Sequence, residues 1–192
     1  MPNHSETELI LTVLLSFRDF ASTPKPLAGD ISEKHPIDAV LTLLRGHLFQ
    51  SVVGYFVNHR PSSSYAHIDD EYKVQDLLYC LLITALDDLQ YEDPAGKSKG
   101  ALTSTRLDLV SKQQDLIIEA KYASSKHLAK DIESEISEDI VKYGKLSHFN
   151  TMIFFIYCSD YTFPNQKEFE LGFTDRHEIA GHKFQTYCII KP

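Results

Sequence analysis

Residues 106–122 read RLDLVSKQQDLIIEAKY, two short apolar strands joined by a polar turn. Strand side chains alternate between faces, so Arg106 shares a face with Asp108, and Glu119 with Lys121. With Gln113 and Gln114 at the turn, Asp108 falls directly across from Glu119 and Arg106 across from Lys121. Such cross-strand neighbours have Cβ atoms about 4.5–5.5 Å apart. Charge is expensive in so apolar a hairpin unless it has work to do. The alternative is a surface salt-bridge cluster on an exposed sheet face. Spacing alone does not separate the two, and the buried-looking flanks weigh against the cluster.

Two carboxylates this close resist ionisation unless something cationic sits between them. A hard divalent cation satisfies that need, because Mg2+ commonly takes one or two carboxylates and completes its shell with substrate phosphate. Asp108 and Glu119 are therefore candidate ligands for Mg2+ or Mn2+, and the backbone carbonyl of Ala120, between Glu119 and Lys121, adds an oxygen. Lys121 would lie beside the ion, placed to orient a water or offset charge growing on a phosphate.

The rest of the chain supplies a scaffold for such a hairpin. Residues 6–20 and 35–58 read as helices, the second with an apolar stripe through Ile37, Val40, Leu41, Leu44 and Leu48. HRPSSSYAH is a loop and the best boundary, which divides a helical segment, 1–64, from the remainder, 65–192. Residues 70–89 form a helix capped by Asp69 or Asp70, followed by a short strand at 89–92 and the loop DPAGKSKGALTST. After the hairpin come an amphipathic helix at 127–143, ended by Gly144, then a buried strand, TMIFFIYCS, and a last strand, KFQTYCIIK. The acidic face of the 127–143 helix (Asp131, Glu133, Glu135, Glu138, Asp139) reads as a solvated face. Helices alternating with strands imply an α/β fold with a central sheet covered on its faces.

Composition narrows the function. The 192 residues carry a formal net charge of −8, so there is no global electrostatic footprint for nucleic acid, and any such binding must be local. Cys80, Cys158 and Cys188 fall in apolar runs and read as buried reduced thiols of a cytoplasmic protein. The apolar run Leu9–Phe17 follows Glu6 and Glu8 where an export signal needs a basic start, and Met152–Cys158 is too short to span a membrane. AGKSKG lacks the first glycine of a phosphate-binding loop, and a strand follows it where that loop needs a helix. His177 and His182 are five apart and cannot share a helix face as zinc ligands.

Residues 92–121, EDP…RLD…IIEAK, resemble the PD-(D/E)xK nuclease superfamily, in its DpnII/MboI-like branch. The likeness extends in order through EYKVQDLL at 71–78, YEDPAG at 91–96, TRLDLV at 105–110, EISEDIVKY at 135–143, FFIYCSDY at 154–161, Pro164-Asn165 and CIIKP. It departs where Leu107 stands before Asp108 in place of the usual proline-aspartate pair, and where Cys158-Ser159-Asp160 replaces an aspartate-proline end.

The resemblance implies a restriction-endonuclease-like core, a mixed sheet flanked by helices, with an added N-terminal helical segment. It implies that Asp108, Glu119 and Lys121 are catalytic, Glu92 is a further acidic ligand, and Glu71 and Gln75 join from the preceding helix. Arg106, Lys97 and Lys99 would touch substrate phosphates. The expected activity is metal-dependent phosphodiester hydrolysis, in DNA by family, as an endonuclease with a role in defence against foreign nucleic acid. Two other readings use the same residues: a non-catalytic nuclease-fold binding subunit and an RNA-processing nuclease. An acidic protein acting on an acidic polymer is expected to work as a homo-oligomer or delivered by a partner, with Leu9–Phe17 as the contact surface.

Overall fold

The computed structural model describes residues 36–94, 106–146, 148–158 and 163–192, with the backbone alone for residues 92–94. The helix expected at 6–20 lies outside the described residues, as do Lys97 and Lys99. Six strands form one sheet: β1 (Gln90–Pro94), β2 (Arg106–Ser111), β3 (Leu116–Ala123), β4 (Thr151–Cys158), β5 (Arg176–Ile179) and β6 (His182–Lys191). Their order is β1-β2-β3-β4-β6-β5. Pairing is antiparallel at both edges and parallel for β3–β4 and β4–β6, so the sheet is mixed. The parallel centre is the most apolar part. Every residue of β4 is buried, as a strand covered on both faces requires.

The described helices are α1 (Pro36–Arg45), α2 (Leu48–His59), α3 (Glu71–Leu82), α4 (Ala129–Tyr143) and α5 (Gln166–Gly172), with a 3-10 turn at Ser64–Ala66. The helix expected over 35–58 is two helices, broken at Gly46-His47. The Asp70 side chain caps α3 by accepting from the Lys73 amide at 2.8 Å. The last turns expected of that helix, as far as Leu89, are non-helical. A two-residue turn, Ala180-Gly181, joins β5 to β6 with both residues at positive φ, the geometry that matches strand twist.

Two cores flank the sheet. On one face α1, α2 and α3 pack on Leu109, Ile118, Ala120, Ile153, Phe155 and Ile189. On the other, Ile132, Ile136 and Ile140 of α4 and the ring of Phe169 in α5 pack on Ile117, Met152, Phe154, Ile156 and Ile190. Gly144 ends α4 with φ −59°, so it serves no left-handed cap. Its role is close approach. A Cβ there would lie 2.6 Å from the Ile140 carbonyl oxygen and 2.8 Å from both Ile179 Cδ1 and Phe184 Cε1.

No single described helix is long and apolar enough to cross a membrane. The apolar pair α1–α2, bent by 43°, spends its hydrophobic side chains on the sheet. Phe49 is the clearest link. It is 1% exposed, and its ring centroid lies 4.9 Å from that of Phe155 and 5.3 Å from that of Tyr157. Phe49→Ala should therefore cost about 3–5 kcal/mol in urea unfolding. A loss below about 1 kcal/mol, within the range of surface changes, would show that α2 is not part of this core.

Candidate active site

The β2–β3 hairpin pairs Leu109 with Ile118, Val110 with Ile117 and Ser111 with Leu116. That is the register expected from the sequence, and one further step along it sets Asp108 opposite Glu119. The ladder stops before that step, although β2 goes on pairing with β1 as far as Arg106. Leu107 packs with the α4-side core while Leu109 packs with the opposite one, so β2 twists at Asp108.

Side chains take over where the ladder ends. The Ala120 amide donates to Asp108 Oδ2 at 2.9 Å, and the Asp108 amide makes a long bond to Glu119 Oε1 at 3.4 Å. Gln75 of α3, 2% exposed, donates from Nε2 to the Asp108 carbonyl at 3.0 Å. An extended residue points its N–H and C=O to the same side, so the Ala120 carbonyl also faces the opening between β2 and β3.

The electrostatics follow from burial. Glu119 is 3% exposed, and desolvation pushes its carboxyl well above the ordinary range. The charges of Asp108 and Asp139 push the same way, and the Lys121 ammonium only partly offsets them. Glu71, in the first turn of α3, is raised to about 7, chiefly by burial and then by Asp108, Glu135 and Asp139 acting against Lys121. Glu71 thus lies within electrostatic reach of the pair, while Gln75 holds the Asp108 backbone. Arg106 is exposed at the start of β2, and its carbonyl accepts from the Tyr143 hydroxyl at 3.4 Å. Glu92 lies in β1 on the far side of β2, with only its backbone described.

Lys121 is 7% exposed and makes its strongest contact away from the hairpin. Its Nζ lies 3.2 Å from Asp139 Oδ2 and 3.8 Å from Glu135 Oε2, both on α4. Burial alone would lower its pKa, but Glu71, Asp139 and Glu119 outweigh that and hold the ammonium above its ordinary value. The α4 acidic face is therefore not wholly solvated, as the sequence reading had it. Asp139 is 9% exposed, and Glu135 also meets His127 Nε2 at 2.9 Å. The missed signal was the helical repeat: Asp139 stands three residues after Ile136 and four before Tyr143, on the buried stripe.

Among the described residues no three His, Cys, Asp or Glu side chains form a ready-made metal cage. The donor set suits a more open site. Asp108, Glu119 and the Ala120 carbonyl are all hard oxygen donors, and burial together with the Asp108 charge makes the Glu119 carboxyl resist ionisation.

A mixed sheet clad by helices on both faces, with two carboxylates and a lysine where its hairpin opens, defines a restriction-endonuclease-like nuclease core. The DpnII-MboI family model, described as REase_DpnII-MboI, matches residues 48–188. The chain belongs to the DpnII-MboI restriction endonuclease family, and is a nuclease of that kind. No curated protein and no solved structure gives a significant match.

The raised Glu71 carboxyl has a consequence for stability. Between its ordinary pKa of 4.5 and about 7, the folded chain binds a proton that the unfolded chain releases. Stability from this group is thus lost as pH rises through that window. In metal-free buffer, Glu71→Gln should melt higher than the parent at pH 8 and level with it near pH 4. An equal difference at both pH values would show that Glu71 is not so perturbed.

Proposed function

We propose that the chain is a divalent-metal-dependent endonuclease acting on DNA, with a role in defence against foreign nucleic acid. The observation that carries this is the opened hairpin, which brings Asp108 and Glu119 together beside a buried lysine. DNA and the defence role rest on the family, whose restriction endonucleases cut DNA.

Asp108, Glu119 and the Ala120 carbonyl would hold Mg2+ or Mn2+, with Glu92 as a further acidic ligand. When bound, such an ion polarises the phosphodiester and lowers the pKa of a coordinated water. The protein's own groups do the rest. Asp108, fixed by the Ala120 amide and by Gln75 on its backbone, keeps its carboxylate turned to the opening. Lys121 remains charged and offsets negative charge developing on the phosphate. Glu71, with a carboxyl that titrates at about 7, can exchange a proton near neutrality. Arg106, Lys97 and Lys99 would hold flanking phosphates.

Plasmid, linear DNA and RNA incubated with Mg2+, Mn2+ or EDTA test the reading. Cleavage of DNA should need the metal and fall by at least about a hundredfold in Asp108→Asn and in Glu119→Gln, each still folded. Undiminished cutting by either variant would reject the site. Glu92→Gln should weaken turnover more than Glu178→Gln does; equal behaviour would make Glu92 a plain strand carboxylate.

With a net charge of −8, the chain would act as a homo-oligomer or be delivered by a partner. Light scattering should then give a mass above 21.9 kDa, or cleavage should rise when a partner is added. Tight, salt-sensitive DNA binding by a monomer would count against it.

A further inference from the structure

The lysine of the site does not stand alone on its strand. Its ammonium is held by two carboxylates from α4, the helix that also packs on the hairpin: Asp139 at 3.2 Å and Glu135 at 3.8 Å. Asp139 is 9% exposed, has Lys142 Nζ at 3.8 Å from its other oxygen, and lies on the stripe that packs α4 to the sheet. Glu135 is steadied by His127. Burying a carboxylate is costly unless it is paired, and this one is paired with Lys121.

Lysine carries its charge on a flexible four-carbon stem, and little in the stem fixes where the charge lies. On a strand beside two carboxylates that repel one another, the ammonium could collapse onto Glu119 and neutralise it. The Asp139 carboxylate, 3.2 Å from Nζ, tethers the ammonium to the helix instead.

We infer that Asp139, supported by Glu135 and His127, is the positioning residue for Lys121 in phosphodiester cleavage. Asp139 touches neither substrate nor metal in this scheme and acts only through the lysine. The inference rests on Lys121 serving the reaction, as proposed above.

The test is a double-mutant cycle in the full chain, using linear duplex DNA with Mg2+ or Mn2+. Asp139→Asn should lower kcat by about tenfold or more, with KM changed by less than about twofold, because a misplaced group costs the transition state rather than binding. Asp139→Glu should recover part of that loss. Glu133→Gln, which removes the same charge from an exposed position on the same helix, should leave kcat unchanged. In a Lys121→Met background, Asp139→Asn should have no further effect.

A second readout needs no metal or substrate. The side-chain ammonium of Lys121 in a 1H–15N NMR spectrum should exchange slowly in the parent and broaden into solvent exchange in Asp139→Asn. That signal in the parent decides the matter even if the asparagine variant does not fold. A Lys121 ammonium in fast exchange in the parent would overturn the inference. So would equal fold losses from Asp139→Asn with and without Lys121, which would mark a structural role. If Lys121→Met is impaired while Asp139→Asn is not, the positioning role fails and the active-site reading survives. If Lys121→Met cuts like the parent, both fall.

Discussion

The charged end of this sheet depends on burying the Glu119 carboxyl beside Asp108. The strand that carries Glu119 is apolar and almost wholly buried, so water cannot solvate the acid. Regular pairing would press the two side chains together with no relief. Instead the ladder ends at Leu109–Ile118, β2 twists, and side chains satisfy backbone groups that the ladder would otherwise use. An unpaired buried amide or carbonyl costs about as much as a lost hydrogen bond, so these side-chain bonds make the opening tolerable.

The same demand explains why both helical layers reach this point. α3 lies on one face of the sheet and α4 on the other, yet Glu71 and Gln75 come from the first and Glu135 and Asp139 from the second. They meet at β2–β3 because the sheet is covered by helices on both faces there. Lys121 is the cation around which these acids are arranged: Asp139, which disfavours ionisation of Glu71, also favours the charged lysine, as Glu71 and Glu119 do. For the same reason an acidic chain can still offer phosphate a positive point, provided the charge is held locally.

The hairpin was legible because two simple rules sufficed. Period-two alternation put Glu119 and Lys121 on one face, and a turn centred on Gln113-Gln114 fixed the register across it. The α/β layering followed from alternating elements, and the mixed sheet from the family likeness. What escaped had tertiary causes. Asp139 was grouped with its acidic neighbours, although the helical repeat puts it on the buried side; its partner, Lys121, is 18 residues away in sequence, beyond any local pattern. The helix from Asp70 ends at Leu82 despite apolar residues beyond it, because Leu86 and Leu89 reach the same core from non-helical backbone.

Gly144 lies where helix and hairpin come close. Its neighbours are the C-terminal turn of the helix that bears Asp139 and the β5–β6 hairpin at the far edge of the sheet. Hydrogen is the only side chain that fits between them. A survey of tolerated substitutions would rank this position with the acids of the hairpin, for reasons of volume alone. Intolerance to change is therefore a poor guide to chemistry in this fold: a residue with no reactive group is constrained by volume alone.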